Sequence, residues 1–64
     1  MVRINGEENS LAGMNLLEYL KDAGYQPEKI VVEHNLEIIP RDQLQNTVIQ
    51  ENDSIEVLSF VGGG

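Results

Sequence analysis

The sequence predicts an α+β fold in which one main helix packs on a mixed sheet of four or five strands. Its 64 residues form a single domain, because a chain of this length buries only about 60% of the surface that its unfolded form exposes. Most apolar residues fall in alternating or β-branched runs, and helical spacing of apolar residues occurs in one segment. These observations predict a sheet with one helix packed on one of its faces.

The first element is predicted to be a hairpin. Val2 and Ile4 alternate with polar residues, which is typical of a strand. Asn5-Gly6 is a strong turn signal, because both residue types tolerate a positive φ. We expect a second strand to return over residues 7–13 with Leu11 pointing inward.

The helix is expected to begin after Asn15, whose side chain can accept hydrogen bonds from the first turn, with Glu18 reaching back to complete a capping box. Its apolar stripe consists of Leu16, Leu17, Leu20 and Ala23. Gly24 is expected to end the helix, because glycine adopts the left-handed cap conformation at little cost. Tyr25 is expected to fold back onto the helix, and Pro27 prevents its continuation.

Three further strands are predicted after the helix. Residues 30–34 form a β-branched run, and residues 37–39 form a short strand after a turn at Asn35. A single helical turn is expected over residues 41–44, and the last strand over residues 54–61, where it can pair with the first hairpin. The order strand, strand, helix, strand, short strand, strand is that of the β-grasp arrangement.

The C-terminal run Gly62-Gly63-Gly64 is the most informative feature for function. Glycines cannot pack, and each loses the most backbone entropy on ordering, so we expect a domain over residues 1–61 and a flexible tail over residues 62–64. The extended segment from Val61 to Gly64 reaches roughly 13 Å at about 3.3 Å per residue. We therefore expect this tail to thread a narrow channel and present the α-carboxylate of Gly64 as the reactive group.

Charge and composition restrict the partners. Eleven acidic residues against four basic ones give a net charge of -7, which disfavours nucleic acid and anionic membranes and favours a basic protein surface. The chain has no cysteine, no Walker-type glycine loop and no apolar run of membrane-spanning length. We therefore expect a cytoplasmic protein with no bound cofactor, whose activating groups come from partner enzymes.

Other polar residues are interpreted as surface features. His34 lies beside Glu33 and near Glu37, but a single histidine with carboxylates on a strand is more often a surface residue than a metal ligand, so no metal site is predicted. The acidic runs Glu7-Glu8 and Glu51-Asn52-Asp53 are interpreted as solvated turns.

The last strand offers a candidate docking patch. Its alternation places Ile55, Val57, Ser59 and Val61 on one face. Leu58 and Phe60 then lie on the solvent side next to the tail, and exposed apolar side chains beside a reactive end are typical of an interaction site. We predict that Leu58, Phe60 and Val61 contact partner enzymes; the alternative is that a bulge or loop buries Leu58 or Phe60.

These features together resemble the ThiS family, the ubiquitin-like β-grasp sulfur carriers of thiamine biosynthesis. The resemblance covers essentially the whole chain. Its matching segments are Asn15-Leu16-Leu17-Glu18, Val32 to Asn35, Ile39-Pro40-Arg41, Asp53-Ser54-Ile55-Glu56-Val57 and Val61-Gly62-Gly63-Gly64. Family members often have Gly where Asn52 precedes Asp53 here, and Asn also tolerates the positive φ of such a turn.

The resemblance implies that the last glycine, here Gly64, is adenylated with ATP by an adenylyltransferase related to ubiquitin-activating enzymes and is then converted to a thiocarboxylate. It also implies a cysteine desulfurase as the sulfur source and thiazole synthase as the acceptor, with this chain as a carrier and not an enzyme. Two alternatives stay open: a sulfur carrier for molybdopterin or cysteine synthesis, and a ubiquitin-like modifier or interaction module. Asp53-Ser54-Ile55 is similar to the Asp-Ser-Leu of acyl carrier proteins, but there the serine opens a helix and here the pattern is that of a strand.

Overall fold

The computed structural model describes residues 1–59, so Phe60, Val61 and the glycine tail lie outside the described residues. The strands are β1 (Val2–Ile4), β2 (Glu7–Asn9), β3 (Ile30–His34), β4 (Glu37–Ile39) and β5 (Ser54–Ser59), and the helix is α1 (Leu16–Asp22). Two 3-10 turns cover Pro27–Lys29 and Arg41–Asn46. The predicted fold class is confirmed.

The five strands form one mixed sheet in the order β2-β1-β5-β3-β4. The last described strand, β5, lies at the centre, parallel to β1 and antiparallel to β3, so the first and last described strands are neighbours in the sheet. β2 and β4 are the edge strands, each joined to its neighbour by a hairpin. β5 is therefore held from both sides at its beginning, where Arg3 lies opposite Ser54 and Ile4 opposite Ile55.

Both hairpin turns use left-handed backbone conformations. Asn5 and Gly6 have φ values of 51° and 85°, which is the geometry that the Asn-Gly pair favours. Asn35 and Leu36 have φ values of 54° and 73°. The sequence indicated the first turn and Asn35, but a leucine in this region is unusual because its Cβ crowds the backbone.

The helix ends are formed largely as predicted. Asn15 Oδ1 accepts a hydrogen bond from the Glu18 N–H at 3.1 Å. The reciprocal bond of a capping box is not made within residues 1–59; the Asn15 amide donates instead to the Gln45 carbonyl at 2.8 Å. At the other end Gly24 has a φ of 92°, and the Tyr25 N–H donates to the Leu20 carbonyl at 2.9 Å, as in a Schellman cap.

The core lies between α1 and one face of the sheet. Its buried apolar residues are Val2, Ile4, Leu16, Leu20, Ile30, Val32, Leu44, Ile49, Ile55 and Val57. Leu44 lies in the 3-10 turn of residues 41–46 and Ile49 in the irregular stretch before β5, and the sequence did not identify either residue as core. No helix within residues 1–59 has the length and apolar character needed to cross a membrane.

The second strand is shorter than expected, ending at Asn9 instead of reaching residue 13. The chain leaves the sheet there because other partners take its backbone: the Gly13 N–H donates to the Ile49 carbonyl at 2.7 Å and the Met14 N–H to the Leu11 carbonyl at 3.2 Å. Leu11 still packs against the core, as predicted.

Candidate functional site

The described part of the candidate site is the C-terminal end of β5. Ile55 and Val57 are buried in the core cluster to which α1 contributes Leu16 and Leu20, whereas Leu58 on the opposite face is 52% exposed. This alternation is the one that the sequence predicted for residues 55–58. The other predicted site residues, Phe60, Val61 and Gly62–Gly64, lie outside the described residues.

Two apolar side chains on neighbouring strands accompany Leu58 on the solvent face. Val31 of β3 lies directly opposite Leu58, and Ile38 of β4 lies opposite Glu33, one step diagonally from Val31. Ile38 is 66% exposed and Val31 is half-buried. We call Val31, Ile38 and Leu58 the apolar sheet patch. It lies at the end of the sheet from which β5 runs on toward Gly64.

Negative charge borders this patch. Glu33 and Glu56 lie directly opposite each other on β3 and β5, an arrangement in which like charges destabilise a sheet. Among residues 1–59 the ion pairs are Met1 with Glu51, Arg3 with Glu8 and His34 with Asp53, so neither Glu33 nor Glu56 has a cationic partner there. A basic side chain from another protein would relieve this repulsion.

The opposite end of β5 carries a buried polar cluster around Asp53. Its carboxylate accepts hydrogen bonds from the Gln50 N–H at 2.8 Å and the Asn35 amide at 3.0 Å, and lies 2.7 Å from His34 Nε2. Burial works to raise the pKa of Asp53, but the hydrogen bonds from Gln50, Asn35 and His34 outweigh it, and the pKa is lowered. This cluster joins the β3–β4 turn to the start of β5.

The Asp53 cluster corrects two sequence interpretations. Asp53 is only 7% exposed, so it is not part of a solvated turn, and His34 is committed to its carboxylate. Ser54 opens β5 and not a helix, which removes the likeness to acyl carrier proteins. Within the described chain no group of three or more His, Cys, Asp or Glu side chains is arranged to hold a metal ion.

Within residues 1–59, a five-stranded sheet whose central strand β5 runs parallel to β1, covered by the helix α1, defines a small ubiquitin-like β-grasp protein. Residues 2–64 match the sequence model of the ThiS family, and the chain therefore belongs to this family. The crystal structure of the thiamine biosynthesis protein (ThiS) from Geobacter metallireducens has the same fold, with a TM-score of 0.80 and 30% identity over 98% of this chain and 97% of that chain.

Two thiazole synthases contain a related segment. The chain is 42% identical to that of Magnetococcus marinus over 98% of its own length, and 39% identical to that of Paramagnetospirillum magneticum over 95%. It spans 20% and 19% of the lengths of those two proteins, or about a fifth. A segment similar to this chain is therefore part of a longer polypeptide in both relatives.

Proposed function

We propose that this protein is a sulfur carrier of thiamine biosynthesis that acts as a co-substrate of partner enzymes and not as a catalyst. The observation that carries this proposal is a ThiS-family β-grasp domain whose central strand is followed by Gly62-Gly63-Gly64. Neither a cysteine nucleophile nor a Walker-type loop is present in the sequence. The groups that activate the tail therefore come from other proteins.

The chemistry takes place at the Gly64 α-carboxylate. A carboxylate oxygen attacks the α-phosphorus of ATP bound to the adenylating enzyme, which releases pyrophosphate and leaves an acyl adenylate. A sulfur nucleophile at the oxidation level of sulfide then displaces AMP, and the product is a thiocarboxylate. Tail residues Gly62 and Gly63 have no side chains that would obstruct a narrow channel.

The acceptor that we propose for this sulfur is thiazole synthase. Support comes from the two relatives of that name, which carry a segment similar to this chain within one polypeptide. A carrier and its acceptor gain effective concentration when they are covalently joined, so such an arrangement is expected for two parts that act in succession. A cysteine desulfurase is the sulfur source that we propose: it delivers sulfur as an enzyme-bound persulfide, and a thiol reductant that cleaves the S–S bond brings this sulfur to the oxidation level of sulfide. The cytoplasm, with its ATP, is the proposed compartment.

We propose that the apolar sheet patch docks on the adenylating enzyme, together with Phe60 and Val61. The patch lies on the solvent face beside the end of β5, so a partner that covers it also receives the tail. Glu33 and Glu56 border it without a cation among residues 1–59, and the whole chain carries a charge of -7. The partner surface is therefore expected to be apolar with a basic rim.

The test is ATP–pyrophosphate exchange catalysed by the purified adenylating enzyme with this protein as substrate. Exchange that depends on the protein and disappears when Gly64 is deleted supports the proposal. Leu58→Ser is expected to raise KM by roughly 5- to 30-fold, the effect of losing one well-packed interface anchor. The matched control is Leu36→Ser, the same change at a leucine that is 89% exposed at the far end of the sheet.

Three results would contradict this reading. Equal KM values for Leu58→Ser and wild type would remove the docking role of the patch. Stable isopeptide adducts on lysines of other proteins would identify a modifier. Sulfur delivered to a molybdopterin or cysteine precursor, but not to thiazole synthase, would assign the same carrier chemistry to another pathway.

A further inference from the structure

The last hydrogen bond between the first hairpin and β5 is accepted by a side chain instead of the backbone. The Arg3 N–H donates to the Asp53 carbonyl and the Asn5 N–H to the Ile55 carbonyl, both at 2.9 Å. The two bonds advance by two residues on each strand, as in a regular parallel ladder. The next donor on this side of β5 is the Val57 N–H, for which the ladder requires an acceptor at Asn5.

Asn5 provides that acceptor with its side chain. The chain turns away from the sheet at Asn5, where φ is 51°, so the main chain no longer follows β5. The Asn5 Oδ1 atom accepts the Val57 N–H at 2.8 Å instead. Asn5 Nδ2 donates to the Tyr25 hydroxyl at 3.4 Å, a long hydrogen bond that favours this orientation of the amide, and the Tyr25 N–H bonds to the Leu20 carbonyl in the helix cap.

Up to this bond, β5 is hydrogen-bonded to neighbours on both sides, the first hairpin and β3; beyond it, the described part of β5 is paired on one side. Within residues 1–59, Val57 is the furthest residue along β5 that bonds to the first hairpin. Beyond it, Leu58 and Ser59 pair only with β3, through Val31 and Ile30. Six residues lie between Val57 and Gly64 in the sequence.

We propose that Asn5 is a positioning residue for the reaction at Gly64: its side-chain carbonyl clamps Val57 and so fixes the position of β5 on its β1 side, two residues before the described part of the strand ends at Ser59. This inference rests on the proposed carrier function. Once the apolar sheet patch has docked, the carboxylate reaches the nucleotide only if the last residues start from a fixed point. Losing the clamp leaves docking intact and makes the productive arrangement of the carboxylate rarer.

The test compares two substitutions that both tolerate the left-handed turn. Asn5→Gly keeps the turn and removes the acceptor, whereas Asn5→Asp keeps an acceptor oxygen at the same position. For Asn5→Gly we expect amide hydrogen exchange at Val57 to accelerate by roughly 2- to 12-fold, the factor that one net hydrogen bond contributes. The amide of Val32 in the neighbouring β3 is the internal reference.

Adenylation kinetics separate positioning from a purely structural role. Asn5→Gly is expected to lower kcat at least roughly 3-fold with KM within about 2-fold of wild type, because docking is unchanged. Asn5→Asp is expected to restore kcat. Tyr25→Phe, which removes only the hydroxyl that orients the amide, is expected to give a smaller decrease in the same direction.

The possible outcomes are distinct. Unchanged exchange at Val57 in Asn5→Gly would overturn the clamp, and faster exchange with wild-type kcat would overturn its role in positioning. A loss of kcat that Asn5→Asp fails to restore would also overturn it, because a cause other than the acceptor would then be responsible. A wild-type protein that is not adenylated at all refutes the proposed function instead, and the exchange data still decide whether the clamp exists.

Discussion

Replacing Asp53 with asparagine is expected to reveal how the start of β5 is held in place. Asp53 is 7% exposed, and its carboxylate has three partners at 2.7–3.0 Å: His34, Gln50 and Asn35. Hydrogen bonds to a charged group contribute about 1.5–3 kcal/mol each. Asparagine keeps one acceptor oxygen and places an NH₂ group against the remaining donors. We therefore expect the free energy of unfolding to fall by about 2–4 kcal/mol at pH 7. This decrease is large, because a domain of this size is expected to have a total free energy of unfolding of roughly 3–10 kcal/mol.

The loss is expected to depend on pH in one direction. The pKa of Asp53 is lowered in the folded protein, so the unfolded chain binds this proton more readily. The stabilisation is then fully present above the unfolded pKa of about 3.9 and is lost as the pH falls through the lower folded pKa. The difference in the free energy of unfolding between wild type and Asp53→Asn should persist at about pH 5 and become smaller below about pH 4.

Urea unfolding followed by circular dichroism, repeated from neutral to acid pH, measures both effects. Asp42→Asn is the matched control: Asp42 is exposed in the turn at residues 41–46, and its substitution should change stability by less than about 0.5 kcal/mol. A stability difference for Asp53→Asn that stays constant into strong acid, or that is as small as that of the control at pH 7, would show that the Asp53 carboxylate does not hold the start of β5.

Two further substitutions address the core and the docking face. Leu20→Ala removes a fully buried side chain of the helix and is expected to cost about 2–5 kcal/mol, seen as a lower urea midpoint; a change below about 1 kcal/mol would contradict the packing described. Glu33→Gln relieves the repulsion with Glu56 and is expected to raise stability by about 0.2–1 kcal/mol while slowing association with the adenylating enzyme at low salt. Unchanged association by stopped flow would exclude a basic rim on the partner.

Local chemistry explains the parts of the fold that the sequence predicted well. Asn5-Gly6 and Gly24 adopt positive φ values in the structure, and both turns were visible because few residue types tolerate that conformation. Asn15 was recognisable as a cap because its side chain bonds within one helical turn. Each of these features depends on residues within a few positions along the chain.

Long-range contacts explain what the sequence missed. The Gly13 N–H donates to the carbonyl of Ile49, 36 residues away, so the residues near position 9 do not indicate the early end of β2. Asp53 is buried because the β3–β4 turn supplies two of its partners, His34 and Asn35. Neither contact leaves a periodic pattern in the sequence.

In the candidate site too, a local pattern predicted one residue and long-range strand pairing determined the others. The exposure of Leu58 followed from the alternation in β5, where polar Glu56 shares its face. Val31 and Ile38 were missed because each has an apolar neighbour on the same strand, and an uninterrupted apolar run does not reveal which side chain faces solvent. Val31 pairs with Leu58 of β5, and Ile38 pairs with Glu33 of β3. These pairings place both apolar side chains on the face that Leu58 shares with Glu33 and Glu56.

Intact mass spectrometry of the protein after incubation with ATP and fresh extract of its own source cells shows whether Gly64 carries sulfur. A sulfur carrier is expected to gain a mass equal to the replacement of one oxygen by one sulfur, and the gain should be absent from a variant that lacks Gly64. No change in mass in an active extract would contradict the sulfur-carrier function, and a larger adduct at the same terminus would favour a conjugated modifier.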